Sequence, residues 1–210
     1  MNNIAEQRLQ LKKDFDDVRE AGKKNEQRKF FNALVESKNG DFDYCFFKWH
    51  KDCYNPTTDI TCSKMASIYG YSSIEDTKVK ITYTGTTLGG AFYMSNKLKR
   101  IKELVLVNDT TFATSSFGQC VSLEEVNISG EGKILTTFTL QYSKYLKKDS
   151  IISIVDALSP NVAGQTLTIS KTALKSAFGI EITSDADIPT DNDFYKVRHS
   201  KSNWTFAYSA

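Results

Sequence analysis

The side chains best suited to chemistry crowd into one run: Cys45, His50, Cys53 and Cys62, spaced Cys-x4-His-x2-Cys-x8-Cys. Thiolate and imidazole are the donors zinc prefers, so these four residues form a candidate metal set. The spacing lacks the paired Cys-x2-Cys knuckles of structural zinc sites. A free cysteine more often serves as a small buried hydrophobe. The favoured expectation is therefore no metal and no cofactor. Disulfides are not expected either, because the chain opens on polar and charged residues with no apolar export segment.

A second run offers carboxylates: Asp185, Asp187, Asp191 and Asp193. Their oxygens suit calcium, but the spacing does not match the twelve-residue EF-hand loop, and a solvated loop is expected. The remaining histidine, His199, stands outside any motif. The chain has no nucleophile elbow, no glycine-rich phosphate loop and no His-x3-His pair. Adjacent acids such as Asp16-Asp17 and Glu124-Glu125 point in different directions on a helix or strand. The chemistry points away from catalysis, so the chain is expected not to be an enzyme.

Bulk properties narrow the partners. Basic and acidic residues nearly balance, 27 against 25, and they interleave. A nucleic-acid surface needs a concentrated positive stripe, so none is expected. The longest apolar stretch, near residues 151–158, is broken by Ser153 and Asp156 and is too short to span a bilayer. No membrane insertion is expected.

The element that must organise the rest is a phrase written twice. Ile101-Lys-Glu-Leu104-Val-Leu106 is followed 22 residues later by Leu123-Glu-Glu-Val126-Asn-Ile128, and the same offset sets Leu98 over Cys120. A period of this length with this phrase is the mark of a leucine-rich solenoid. Alternation within the phrase makes each copy a short strand, with Leu104 and Leu106 inward and Val105 and Val107 outward. Each strand can bury its face only against a neighbour. The outward positions Lys102, Glu103, Val105, Val107, Glu124, Glu125 and Asn127 become the candidate binding face.

Flanking segments follow from local signals. Residues 3–21 predict a helix with Ile4, Leu11, Phe15 and Val18 on one face, stopped by Gly22. A second helix is expected over 25–36, burying Phe30, Phe31, Leu34 and Val35 and ending at Asn39-Gly40. Residues 41–63 are dense in aromatics and predict a plug over the open end of the solenoid; an exposed patch for sugar or protein is the alternative reading. Val79-x-Ile81-x-Tyr83 reads as a strand, and Phe112 and Phe117 as the return side of a coil. A third, weak copy would place Tyr142 and Tyr145 one period after Cys120 and Leu123. Its strand then fails at Lys148 and Ser150, where a helix begins, capped by Asp149 or Ser150 and carrying Ile151, Ile154, Val155 and Leu158. Leu167-x-Ile169 is the next strand. Ser170 caps a further helix that Gly179 stops, residues 193–199 form a short one, and Trp204-x-Phe206-x-Tyr208 is an edge strand.

The resulting fold class is mixed α/β: a short leucine-rich-repeat-like solenoid with parallel strands, N-terminal helices and helical inserts near the C-terminus. Its organisation divides as 1–40, a helical oligomerisation or attachment segment; 41–75, an aromatic capping region; and 76–210, the solenoid with its C-terminal cap.

Residues 92–106 and the Phe-Gly-Gln-Cys-Val-Ser-Leu-Glu-Glu-Val of residues 117–126 resemble BspA-type leucine-rich repeats. The tail, through residues 150–159, 165–174 and 201–206, is similar to the ending of such proteins in phages and prophages of gut bacteria. Residues 7–24 resemble their N-terminal helix. The resemblance is weakest over 41–75, where the cysteines and His50 are peculiar to this chain. It implies a non-enzymatic phage structural protein, a tail, baseplate or virion surface component engaged in host-surface recognition. Its partners would be other virion proteins, a host-surface protein or glycan, and further copies of itself through the N-terminal helix. It would reside in the virion, made in the host cytoplasm and released by lysis. A bacterial adhesin-like leucine-rich-repeat interaction module is the alternative.

Overall fold

The computed structural model describes residues 3–36, 40–50 and 52–210. The chain is mixed α/β, with parallel strands in open sheets and four α-helices among the described residues. The elements run α1 (Asn3–Glu36), β1 (Ile60–Cys62), β2 (Lys80–Tyr83), β3 (Thr87–Leu88), β4 (Arg100–Leu106), β5 (Thr111–Phe112), β6 (Glu125–Ser129), β7 (Phe138–Leu140), α2 (Lys148–Asp156), β8 (Gln165–Ser170), α3 (Lys171–Phe178), α4 (Asp193–His199) and β9 (Trp204–Ser209).

Three parallel sheets result, ordered β1-β2-β4-β6, β3-β5 and β7-β8-β9. In the first, Ile60 faces Ile81, Ile81 faces Leu104 and Leu104 faces Ile128. These β-branched and leucyl side chains alternate inward along short strands, and each is at most 5% exposed. Burying one such side chain is worth about 1.5–3 kcal/mol, and the neighbouring strand supplies the cover. The buried side chains from Phe31 to Phe206 make one continuous core.

The register departs from the 22-residue offset expected from sequence. Ile101 pairs with Val126 at a separation of 25, and Leu104 with Ile128 at 24, with a bulge between them. The equivalent phrases are Leu98-Lys-Arg-Ile101 and Leu123-Glu-Glu-Val126. One extra residue in β4 sets Lys102 and Glu103 between two inward positions. The bulge leaves the Lys102 N–H out of the strand pairing, and the buried Thr77 hydroxyl accepts it at 3.1 Å.

The third copy is displaced in the same way. Ser143 and Leu146 are buried, whereas Tyr142 and Tyr145 are exposed, Tyr145 at 65%. Backbone pairing from Lys147 N–H to the Glu124 carbonyl, 2.9 Å, sets this register. Helix α2 then takes the place of a strand, as expected. Ile151, Ile154, Val155 and Leu158 are all buried, but the predicted cap is absent: Lys147 occupies the N-cap position without a side-chain bond. Ser150 instead accepts the Val126 N–H of the sheet edge. Ser170 is the N-cap residue of α3 but makes no side-chain cap bond, and Gly179 ends the helix in the left-handed region at φ +70°.

At the N-terminus the two expected helices are one. Helix α1 runs through Gly22, where an added Cβ would meet open space, so glycine costs propensity without breaking the ladder. Phe31 anchors it, fully buried against Phe42, Phe46 and Tyr54 with ring centroids 6.0–6.3 Å apart. Phe30, expected inside, is 60% exposed. The side chains of Ile4, Leu11, Phe15, Val18 and Leu34, on which the expected apolar face rests, and the turn at Asn39 lie outside what the structure describes.

The aromatic segment joins a stack that continues through the core. Phe46 stacks on Tyr69 at 5.0 Å, Tyr69 on Phe92 at 6.0 Å and Phe92 on Phe117 at 5.4 Å. Offset-stacked rings add to the area they bury. Two glycines permit close approaches here. A Cβ at Gly85 would run into the Ser63 carbonyl and the Tyr83 hydroxyl. At Gly130 it would lie 2.6 Å from the Leu106 carbonyl, on backbone with φ +125°.

The C-terminal strand is tied down by side-chain donors. Lys201 Nζ donates to the Asp156 carbonyl at 3.0 Å, and Trp204 Nε1 to the Ser159 carbonyl at 2.8 Å. Asn203 Nδ2 reaches the carbonyls of Ser159 and Val162. These bonds satisfy the end of α2 and the loop after it. Among the described residues no helix is long and apolar enough to cross a membrane.

Candidate functional site

The outward residues of β4 and β6 do not form one uniform face. The bulge divides them. Glu103 and Val105 share the outer surface beside Ser129, whose hydroxyl donates to Glu103 Oε1 at 2.9 Å. Val107 follows the end of β4 and is exposed. Glu124 lies just before β6, 4.0 Å from Lys147 Nζ. Lys102, Glu125 and Asn127 turn toward a shallow depression of about 310 Å³ whose other charged walls are Arg100, Lys147 and Asp149.

Arg100, Lys147 and Asp149 are the residues that sequence reasoning missed. The register explains why. An offset of 22 sets Glu125 against Glu103, whereas the observed register sets it against Arg100. The guanidinium Nε of Arg100 lies 3.3 Å from Glu125, and its Nη1 lies 3.7 Å from Asp76. Lys147 Nζ completes the row, 2.5 Å from Glu125. Hydrogen bonding from Lys147, reinforced by the positive charges of Lys147 and Arg100, holds the Glu125 carboxyl below its ordinary range. The same bond pushes the Lys147 ammonium up. Lys99 and Glu75 make a parallel pair at 2.9 Å, which raises the Lys99 ammonium in turn.

These are surface pairs in high dielectric, screened by water and salt, and they add little to stability. Their chemical capacity is recognition: alternating carboxylate, guanidinium and ammonium groups offer charge-assisted hydrogen bonds to a polar ligand.

The cysteine–histidine set does not assemble. No group of three or more histidine, cysteine, aspartate or glutamate side chains placed to hold a metal occurs among the described residues. His50 sits at the surface with its Nδ1 3.0 Å from Asp52. Cys62 is buried in β1 and Cys45 packs half-buried against the core, and burial pushes the Cys45 thiol up to about 11 and the Cys62 thiol up to about 12. Thiols so raised are poor metal ligands and poor nucleophiles. Cys53 is half-buried.

The acidic run is likewise dispersed. Asp185 pairs with Arg198 and accepts the Tyr208 hydroxyl at 2.6 Å. Asp187 accepts from Thr183 and Ser184, and Asp193 pairs with Lys148 and Lys196. Asp187 closes a local turn, Asp193 ties α2 to α4, and Asp185 ties its loop to α4 and β9.

Comparison with protein-family models, with curated proteins and with solved structures gives no match.

Proposed function

We propose that the chain is a short leucine-rich-repeat-like solenoid of the BspA type that works as a binding surface without catalysing a reaction. In this reading it is a tail, baseplate or other virion surface component of a phage, engaged in host-surface recognition. The observation that carries the reading is the parallel register. Ile60, Ile81, Leu104 and Ile128 follow one another across the sheet at separations of 21, 23 and 24 residues. A chain that advances one strand per coil presents its outward residues in rows, and rows suit a ligand held over several coils. The paired charges of Arg100, Glu125 and Lys147 favour a polar partner on the strand face.

The virion assignment rests on the resemblance of the repeat and tail segments. Its test is fractionation of particles released by lysis of cells that carry the gene. The protein is expected to sediment with intact particles. Recovery of the protein only in the soluble fraction would remove the assignment. Multimerisation through α1 is tested by sizing the full chain against one lacking residues 1–24. The full chain should be an oligomer and the shortened chain a monomer; equal monomeric masses would discard the helix as an assembly element.

A further inference from the structure

A second surface stands apart from the strand face. It lies on the turn segments that return the chain between strands. These segments are laddered by backbone bonds. Tyr44 N–H donates to the Ala66 carbonyl, Lys48 N–H to Gly70, Tyr71 N–H to Tyr93 and Met94 N–H to Gly118, at 2.8–2.9 Å. Left-handed backbone recurs at matching places: Tyr44, Ser67 and Gly90 form one series, and Lys48, Tyr71, Met94 and Gln119 another, with φ between +50° and +63°. The backbone under this surface is thus fixed coil by coil.

On it stands a row of four rings. Tyr44 meets Phe47 at 5.5 Å, Phe47 meets Tyr71 at 5.4 Å and Tyr71 meets Tyr93 at 5.7 Å, each edge to face with interplanar angles of 70–83°. The positions equivalent to Phe47 and Tyr93 in the adjoining coils are glycines. A Cβ at Gly70 would lie 3.2 Å from the Phe47 ring, and one at Gly118 3.1 Å from the Tyr93 ring. Rings therefore alternate with bare backbone, which lets each ring lie down over the next coil. Tyr44 and Tyr71 keep 59% and 45% of their surface exposed. Exposed aromatic area on a rigid base is what a recognition surface uses.

We propose that this row binds a linear, uncharged polysaccharide. The step between rings is nearly constant, so the surface suits a ligand that itself repeats. A pyranose chain offers alternating C–H faces for ring contact and hydroxyls for the tyrosine O–H groups. Charge argues against single-stranded nucleic acid, which also stacks on aromatic rows but needs a positive groove along its backbone. Among the described residues Lys48, 5.4 Å over the Phe47 ring, is the one cation placed over a ring of the row. The floor of Gly70, Gly118 and Ser67 argues against a protein partner, whose anchor sites are closed by packed apolar walls. The proposal does not depend on the strand-face reading, because the two surfaces share no residue.

The test is calorimetric titration of the full chain with neutral oligosaccharides of increasing length: β-1,4-glucan, β-1,4-linked N-acetylglucosamine and α-1,4-glucan. At least one series should bind, with affinity rising until the chain spans the row and then levelling. Tyr44→Gly and Tyr71→Gly remove rings at positions where left-handed backbone suits glycine, so the fold is retained. Each is expected to weaken binding about tenfold, the scale of one lost aromatic contact. Ser176→Ala, at an exposed position of α3 outside both surfaces, should leave it unchanged. Absence of binding by all three series overturns the proposal. So does binding that both tyrosine variants retain, or equal binding of oligothymidylate, which would mark the row as a general stacking surface.

Discussion

The backbone N–H of Val126 donates to the hydroxyl of Ser150 at 2.9 Å, and this bond marks where the four-stranded sheet stops. Strand β6 is the last of its sheet, and its outer edge would otherwise present bare donors and acceptors. Helix α2 lies along that edge. Ser153 accepts the Ile128 N–H at 3.1 Å and donates to the Val126 carbonyl at 3.2 Å. Two serines on one helix face thus replace the backbone of a further strand. Buried backbone donors need such partners. Ser150→Ala should destabilise the chain by about 1–3 kcal/mol, the cost of stranding a buried donor. Denaturant unfolding measures it. An unchanged midpoint would show that solvent reaches the Val126 N–H and that the edge is not sealed by the helix.

Cys120 stands in a series otherwise made of buried serines. Ser72 donates to the Trp49 carbonyl, Ser95 to Tyr69, Cys120 to Phe92 and Ser143 to Cys120, so the four form a column of buried donors. The residue is therefore a weak hydrogen-bond donor as well as a small apolar filler. Cys120→Ser should change stability by less than about 1 kcal/mol, whereas Cys120→Ala removes the side-chain bond, leaves the Phe92 carbonyl only the Ser95 N–H, and should cost about 0.5–1.5 kcal/mol. The ordering of the two variants is the informative result. A more stable alanine variant would mean that the bond contributes nothing.

Burial also governs the thiols' reactivity. It pushes Cys120 and Cys62 up to about 12 and leaves them without thiolate near neutral pH. Both should resist a thiol reagent in the native protein and react at the rate of unfolding. Half-buried Cys53 should label first. Rapid modification of Cys62 in native buffer would contradict its placement in the core.

Much of the strand arrangement was legible because its signals are local. The alternation around Leu104 and Ile128 identified both strands, and the stripe from Ile151 to Leu158 identified the helix that ends the sheet. The register was not legible. An apolar-x-x-apolar phrase fits at 22 residues as well as at 25, and the choice depends on a bulge whose energetic support, the Thr77 hydroxyl on Lys102, comes from a residue 25 positions earlier in the chain. The error carried over to the candidate site: it concealed Arg100 beside Glu125 and placed Tyr142 and Tyr145 inward. The continuity of α1 was hidden for a different reason. Glycine lowers helix propensity by about 1 kcal/mol, which marks a stop only where nothing else extends the helix. The aromatic row was half visible, since density of rings can be counted, but alternation with Gly70 and Gly118 emerges only once the backbone bonds lay the turn segments side by side.

Acid should weaken the C-terminal region through Asp187. Hydrogen bonds from the Thr183 hydroxyl and from the backbone of Ser184 and Thr183 hold its carboxyl at about 2, below the ordinary 3.8. A carboxyl depressed in the folded chain stabilises fully above its ordinary value and loses that contribution as pH falls toward 2. Glu125, Glu181 and Asp193 are depressed in the same direction, chiefly by lysine partners. Lys147 and Lys99 are raised, so their contribution is complete below the ordinary 10.5 and fades above it. Stability should form a plateau bounded by these two limbs. Asp187→Asn should lower the melting temperature at pH 7, and the difference from the parent should shrink toward pH 2. A difference that stays constant across this range would exclude the carboxylate as its source.

Phe31 and Gly22 lie on one helix and should respond in opposite directions. Phe31 is the buried ring that joins α1 to Phe42, Phe46 and Tyr54. The Gln27 side chain adds one polar tie, accepting the Tyr54 N–H at 2.9 Å. Removing the ring by Phe31→Ala leaves a cavity among three aromatic side chains and should cost about 3–5 kcal/mol. Gly22 contacts nothing that a methyl group would disturb. Gly22→Ala should raise helicity and gain up to about 1 kcal/mol of local helix stability. Amide hydrogen exchange distinguishes the two effects. The alanine at position 22 should slow exchange along the N-terminal half of α1 while leaving the sheet unaffected. The alanine at position 31 should speed exchange both in α1 and in residues 42–46, because those rings lose their cover together. Faster exchange confined to α1 would mean that the helix rides on the aromatic segment without helping to hold it.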